Sequence, residues 1–299
     1  MARVFIGIPV YNGEKYLASA LESLLTQSYT DWVALISDNA STDATPQIAE
    51  AYCKRDPRLR YYRHAVNLGA APNFNFCVQR AEGEFFKWMA HDDICRPSYL
   101  RRCVERLEAD PGTVLCQSRV LRIGSDGEIA GAYTREWNFN DPDPTIRFAN
   151  AMGLDHACVT VFGVMRLDIL KQTPAIAPFV GSDRPLLAEL ALHGRLEYVP
   201  EDLFLWRDHE DRSVKLKNRK QRLTWFDVNA RTIFSSLMTR QLLANQRAAL
   251  RVPRTSKEKA RAFLKTLHWS VANRRRLLRD IRAIAGATVR SIIPRKDTP

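Results

Sequence analysis

The chain of 299 residues has no apolar run approaching the roughly 18 residues a membrane-crossing helix needs, so no transmembrane helix is predicted. Its first residues, Met1 to Pro9, are too short and too strand-like for a secretory signal. A cytoplasmic location is expected, with peripheral contact at the inner face of the plasma membrane as a variant of it. No Cys-x-x-Cys pair occurs. The six cysteines (Cys53, Cys77, Cys95, Cys103, Cys116 and Cys158) show no zinc-like spacing with histidine, and reduced thiols with structural roles are expected. No Gly-x-Gly-x-x-Gly follows the first predicted strand, where Pro9-Val10-Tyr11-Asn12 stands instead. That absence tells against the phosphate turn of a dinucleotide-dependent oxidoreductase.

Acidic residues are scarce in the C-terminal part. Residues 215–299 hold 22 Lys and Arg against 4 Asp and Glu, a balance of +18, whereas residues 1–214 hold 23 against 29, a balance of −6; together these give the net charge of +12. A basic appendage on a mildly acidic body is the natural reading, and it argues against a general nucleic-acid binder. The apolar fraction of 45% is that of an ordinary globular protein, and the length suits one large α/β unit plus an appendage.

The first half alternates between strand and helix patterns. Val4 to Val10 is a continuous apolar run suited to a strand covered on both faces. Glu14 to Thr26 has helical spacing at Leu17, Ala20, Leu21, Leu24 and Leu25. Strands are predicted at 31–37, 60–63 and 85–90, and helices at 42–55, 71–81 and 99–109. Further strands are predicted at 113–118, 158–165 and 196–199, and a helix at 183–192. Residues 124–155 read as an active-site loop region. From about residue 218 the pattern is helical, broken at Pro253. Alternation of this kind predicts a mostly parallel sheet with helices on both faces, whose ligands bind beyond the carboxyl ends of the strands. Asp38 and Asp92-Asp93 would then share one edge.

The run Phe85 to Asp93 leads apolar residues straight into two adjacent carboxylates. Such a pair is either a solvated turn after a strand or a site for a hard divalent cation, which relieves the mutual repulsion and in turn holds phosphate. Tyr11 and Pro9 offer flat or rigid apolar surface to a ring. Lys87 and Arg63 are further candidates for phosphate contact.

Four segments then line up: Pro9-Val10-Tyr11-Asn12, Asp38-Asn39-Ala40-Ser41-Thr42-Asp43, Asn67-Leu68-Gly69 with Asn73, and His91-Asp92-Asp93. In this order and spacing, over roughly residues 3–215, the chain resembles the family 2 glycosyltransferases of the GT-A fold. The resemblance implies an inverting, metal-dependent transferase that moves a sugar from a nucleotide-sugar donor, a UDP-sugar foremost, to a glycan or lipid-linked acceptor. It implies a GT-A domain over 1–215, with a nucleotide half at 1–118 and an acceptor half at 119–215, followed by a basic helical region at 216–299.

Carried over residue by residue, Pro9, Tyr11, Asn12, Asn67 and Asn73 would line the nucleotide-sugar site and Asp38 would contact the base. Asp92 would lie near the ribose and the metal, and Asp93 would coordinate Mg²⁺ or Mn²⁺ directly. Asp183, opening a helix, stands where the family has its catalytic base; an N-cap carboxylate is the structural alternative. Arg207 or His209, in Trp206-Arg207-Asp208-His209, would reach the diphosphate or the metal, and His156 would be structural or face the acceptor. The family pattern Asp-Asp-Gly-Ser-Thr-Asp has Asn39 and Ala40 at its second and third positions here, and Ala90 replaces the first Asp of Asp-x-Asp-Asp. These departures support a second expectation, a catalytically silent nucleotide-sugar binder within a polysaccharide assembly.

The basic C-terminal helices carry apolar residues at helical spacing: Leu264, Leu267 and Val271, then Leu277, Leu278, Ile281 and Ile284. Packing on the catalytic domain or on a second copy, and contact with an anionic membrane surface, are both open on this pattern.

Overall fold

The computed structural model describes residues 2–133, 138–210, 212, 224–226, 228 and 237–282. Of the helical region predicted from about residue 218, positions 218–223, 227, 229–236 and 283–299, with Ile284, lie outside the described residues.

Strand β1 (Val4–Val10) is buried along its whole length, as a run apolar on both faces requires. It pairs in parallel with β2 (Trp32–Asp38) on one side and β4 (Phe85–Trp88) on the other, and β2 pairs in parallel with β3 (Leu59–Arg63). Helices α1 (Leu17–Leu25), α2 (Thr45–Arg55) and α3 (Ala70–Gln79) supply the crossovers. After β4 come the short strand β5 (Ile94–Cys95), helix α4 (Tyr99–Ala109), and strands β6 (Thr113–Ile123) and β7 (Ile129–Tyr133). Helix α5 (Pro144–Ala151), strand β8 (Val164–Arg166), helices α6 (Leu167–Leu170) and α7 (Asp183–His193), and strand β9 (Arg195–Arg207) complete this part.

Among the described residues the nine strands form one sheet in the order β3-β2-β1-β4-β8-β6-β9-β5, with β7 on β6. The half containing β1 to β4 is parallel. The other half is mixed, because β8 runs antiparallel to both β4 and β6 while β9 runs parallel to β6.

The two-residue period of β1 and β4 splits the core between the two faces. Phe5, Phe86 and Trp88 join one apolar cluster with α3, α5 and α7. Val4, Ile6, Ile8, Val10, Phe85 and Met89 join the other, against Leu17, Leu21 and Leu24 of α1 and Leu100, Val104 and Leu107 of α4. Each fully buried aliphatic or aromatic side chain here contributes about 1.5–3 kcal/mol. Gly7 lets α3 lie directly on β1: a Cβ there would stand 2.4 Å from the Cβ of Cys77. Gly7→Ala is therefore the single change expected to push that helix off the sheet.

Three sequence expectations change. Residues 158–165 are not one strand: Cys158 takes a left-handed conformation (φ 56°), Val159–Phe162 form a 3-10 turn, and the chain becomes extended only after Gly163. Sequence pattern cannot separate these forms, since a short apolar run suits either. The loop region 124–155 contains β7 and α5. Strands β6 and β9 continue well past 118 and 199, because they pair with each other through residue 207.

Helices α8 (Leu237–Arg251) and α9 (Ser256–Ala272) pack onto α5 and α7. Met238, Ala248, Ala249, Ala262, Trp269 and Leu277 belong to the same apolar cluster as those helices. The Trp269 indole N–H donates to the Met152 carbonyl at 2.8 Å, and Arg251 and Arg261 pair with Glu189 and Asp143. A capping box between Thr255 and Glu258 starts α9. All six cysteines are free. No helix among the described residues is long and apolar enough to cross a membrane.

Candidate functional site

A cleft of about 790 Å³ opens beyond the carboxyl ends of β1, β2 and β4, where a parallel sheet places its ligands. Pro9 lines it at the end of β1 and Tyr11 and Asn12 just after it, Asn39 after β2, Asn67 and Asn73 before and within α3, and Ala90 to Asp93 after β4.

Side chains from neighbouring loops hold the first two segments in place. Asn12 has a left-handed backbone (φ 52°), its N–H donates to Ser41 Oγ, and its Oδ1 accepts from the Thr42 N–H, both at 2.9 Å. Asn39 is buried and knits the next loop: its Nδ2 donates to Asn67 Oδ1 and its Oδ1 accepts from the Leu68 N–H. Asn73 and Ser37 exchange two hydrogen bonds, fixing α3 on β2. Tyr11 is exposed on the cleft wall.

Asp38 is placed differently from the expectation. It is fully buried and is not part of the cleft wall. Its Oδ1 accepts from the Ser41 N–H and its Oδ2 from the Tyr61 hydroxyl, each at 2.8 Å. Ser41 and Asn12 are thereby braced, and the next residue, Asn39, is the one facing the cleft. A single position separates the two roles, because the strand ends at Asp38 and the backbone turns: Ala40, where the family pattern has Gly, sits at φ 62°.

Asp92 and Asp93 both line the cleft, and their environments push them apart. Burial alone would raise Asp92, but the His209 hydrogen bond and the charge of His91 outweigh it, holding Asp92 below the usual carboxylate range. The Asp92 Oδ2 lies 2.8 Å from His209 Nε2. An ionised carboxylate only accepts, so that nitrogen carries the proton. Burial, and then the charge of Asp92, push Asp93 well above its ordinary value, although the Arg207 N–H donates to its Oδ1 at 2.9 Å. A group raised by burial beside a like charge is one that a cation would return to the ionised form. Two adjacent carboxylates on one cleft wall supply hard oxygen donors of the kind that would suit a Mg²⁺ or Mn²⁺ ion. Among the described residues no three His, Cys, Asp or Glu side chains converge as a metal cage of their own.

His209 lines the cleft and tilts against Tyr16, 4.7 Å between centroids. Arg207 does not line it. Its guanidinium lies over the Tyr16 ring and donates to the carbonyls of Asp92, Gly124 and Ser125, locking β9 to the acidic loop. Among the described residues two cations line the cleft, Lys15 and Arg212; Arg212 is stacked on Trp206 at 4.1 Å and close enough to Asp93 to favour its charged form. Sequence reasoning missed it; an arginine three residues after His209 on a polar loop was the available signal. Trp225 and Val228 also line the cleft, from the region assigned to the appendage.

Lys87 and Arg63 are not in the cleft. Lys87 is fully buried on the α4 face of β4, donates to the Phe162 carbonyl, and lies over the rings of Tyr99 and Phe204. Burial lowers its pKa. Arg63 donates to the Ser41 carbonyl. Asp183 opens α7 outside the cleft wall, beside Cys158 at the start of the 3-10 turn that ends at the lining residue Phe162. Burial pushes its carboxyl above the ordinary value. His156 is buried, donates from Nε2 to the Ala151 carbonyl, and is held neutral by burial and then Arg184, at about 4.

The chain is similar to several known proteins. EpsE of Bacillus subtilis is 34% identical over 107 residues, which span 36% of this chain and 38% of EpsE. The chain thus covers little more than a third of that relative. An uncharacterized glycosyltransferase of Haemophilus influenzae is 23% identical over 233 residues, covering 74% of this chain and 70% of the relative. Among solved structures, S. aureus TarS 1-349 in complex with UDP-GlcNAc superposes with a TM-score of 0.64 at 18% identity, over 94% of this chain and 81% of that one. The mannosyltransferase PcManGT of Pyrobaculum calidifontis, in complex with GDP-Man and Mn²⁺, gives 0.55 at 16% identity, over 97% and 76%. These likenesses establish the fold as GT-A. The profile of glycosyl transferase family 2 matches residues 5–173, more than half of the chain, and the protein belongs to that family.

Proposed function

We propose that the protein is an inverting, metal-dependent glycosyltransferase that takes a UDP-sugar as donor and a glycan or lipid-linked acceptor. The observation that carries this reading is the placement of Asp92 and Asp93 in one cleft with Tyr11, Asn39 and Arg212, beyond the ends of parallel strands. UDP and UDP-GlcNAc occupy TarS, and GDP-Man with Mn²⁺ occupies PcManGT, which supports the donor class and the metal.

In this reading Asp93 and Asp92 would hold Mg²⁺ or Mn²⁺, which would supply positive charge for the departing nucleoside diphosphate. His209 fixes the orientation of the Asp92 carboxylate, and Arg212 adds positive charge to the same wall. Tyr11 and Pro9 give the base an apolar surface, while Asn39 and Asn67 shape the pocket beneath it. Asp183 accepts the acceptor's proton, its raised pKa making the carboxylate a stronger base. A single base suits one displacement with inversion, in contrast to the closely spaced carboxylate pair of retaining enzymes.

The test is a thermal-shift series with nucleotide sugars, with and without Mn²⁺, beside a product assay. A ligand at about 100 times its Kd stabilises by about 2.7 kcal/mol. With an unfolding entropy of roughly 0.6 kcal/mol/K for a chain of 299 residues, that is a rise of about 4 °C. A shift with a UDP-sugar that requires Mn²⁺ is expected. Shifts indifferent to the metal would remove the metal assignment, and binding without any turnover would favour a silent binder.

A further inference from the structure

The face of α9 turned away from the protein carries apolar side chains that nothing among the described residues covers. Leu264, Leu267 and Val271 are 51%, 40% and 61% exposed, whereas Ala262, Thr266 and Trp269 of the same helix are buried against the body. At about 100° per residue the three exposed residues fall within roughly 60° of one another, nearly opposite the three buried ones. The pattern continues after the turn at Asn273. In the helical residues 274–282, Leu277 is buried while Leu278 and Ile281 are 50% and 52% exposed.

The charge beside this stripe has one sign. Residues 256–282 contain nine Lys and Arg (Lys257, Lys259, Arg261, Lys265, Arg274, Arg275, Arg276, Arg279, Arg282) against two acids, Glu258 and Asp280. Glu258 is used in the capping box, and Asp280 turns inward to accept from the Met238 N–H at 2.7 Å. Of the bases, Arg261 pairs with Asp143 across the body. The stripe is thus apolar along its middle and cationic along its flank.

We propose that this outer face, Leu264, Leu267, Val271, Leu278 and Ile281 with the arginines beside them, lies in the headgroup region of an anionic lipid bilayer. Charge complementarity selects that occupant. Leucine and valine enter the boundary between headgroups and acyl chains, while Lys and Arg remain among the anionic headgroups, the division of labour of an interfacial helix. A second copy docked face to face would bring two cationic surfaces together. On the body, Glu84, Glu108, Asp110 and Glu197, which could attract such a face, already pair with Arg3, Arg195 and Arg106 of the same chain. The cleft and its chemistry do not enter this inference.

The experiment is co-sedimentation of the full chain with phosphatidylglycerol-containing vesicles and with pure phosphatidylcholine vesicles, at low salt and at about 0.5 M salt, where exposed charges are screened. Light scattering gives the oligomeric state alongside. Binding is expected to phosphatidylglycerol vesicles only, and to weaken with salt. The triple variant Leu264→Ser, Leu267→Ser, Val271→Ser, whose changes lie on exposed positions, is expected to lose vesicle affinity on the order of tenfold or more while keeping its melting temperature and nucleotide-sugar binding. Equal binding to both vesicle types, or undiminished binding by the triple variant, overturns the proposal. So does a wild-type dimer that binds no vesicles and that the triple variant dissolves, since the face would then join two copies.

Discussion

The substitution of Asp38 by alanine separates the two roles assigned to this residue. Its carboxylate is fully buried and accepts from the Ser41 N–H and the Tyr61 hydroxyl at 2.8 Å each. Alanine would remove two hydrogen bonds to a carboxylate, one from the buried Ser41 N–H and one from the half-buried Tyr61 hydroxyl, at about 1.5–3 kcal/mol each, so the expected loss is about 4 kcal/mol. At roughly 0.6 kcal/mol/K this lowers the melting temperature by about 6–7 °C. Asparagine keeps the shape: its carbonyl still accepts one bond and its amide can donate to the tyrosine oxygen, so about 1–2 kcal/mol is expected. Donor binding should weaken in both variants in proportion to the loosened loop, because Ser41 in turn holds Asn12 and the left-handed Ala40 follows Asp38 directly. The assay is thermal and urea unfolding of the three proteins, with titration of UDP- and GDP-sugars into each. An alanine variant that melts within about 1 °C of the parent yet loses discrimination between uracil and guanine would refute the bracing role and restore a direct base contact.

Two further substitutions probe buried ionisable groups. Asp183→Asn is expected to lower kcat by about 10²–10⁴-fold, the range of a general base. Because burial raises the Asp183 pKa, the native state holds a proton that the unfolded chain releases between about 3.9 and that raised value, so this group lowers stability as pH climbs through the window. Asparagine removes the loss, and the variant should melt no lower than the parent at pH 7; a lower melting point at unchanged activity would count against the assignment. Lys87→Met addresses the opposite sign: burial depresses the lysine, so between its lowered value and about 10.4 the unfolded chain binds the extra proton and stability rises with pH. The methionine variant should lie within about 1 kcal/mol of the parent at pH 7, since Tyr99 also donates to the Phe162 carbonyl, and should lack that rise. Parallel stability curves for the two proteins up to pH 10 would show that Lys87 is not held as described.

The alternation of apolar runs with helical spacing determined β1 to β4 and the helices between them, because each element's burial is written in its own period of two or 3.6 residues. The alternation also put Asp38 and Asp92-Asp93 on one sheet edge, since residues that follow parallel strands emerge together, whereas Pro9, Tyr11, Asn12, Asn67, Asn73 and His209 were assigned to the site by the family resemblance; all of these except Asp38 line one opening. What the sequence could not decide is which way individual side chains point where a strand gives way to a turn. Asp38 lies away from the cleft while its buried neighbour Asn39 lines it, Arg207 turns into the body while Arg212 lines the cleft, and Lys87 occupies an inward position of β4 because the strand's alternation puts it opposite Trp88. Those outcomes depend on partners distant in the chain: Tyr61 for Asp38, Tyr16 and Gly124 for Arg207, Tyr99 and Phe162 for Lys87. The division of the basic helices into a face that joins the core and a face that remains open was likewise decided by packing against α5 and α7, for hydrophobic spacing alone names apolar residues without saying which of them find a neighbour.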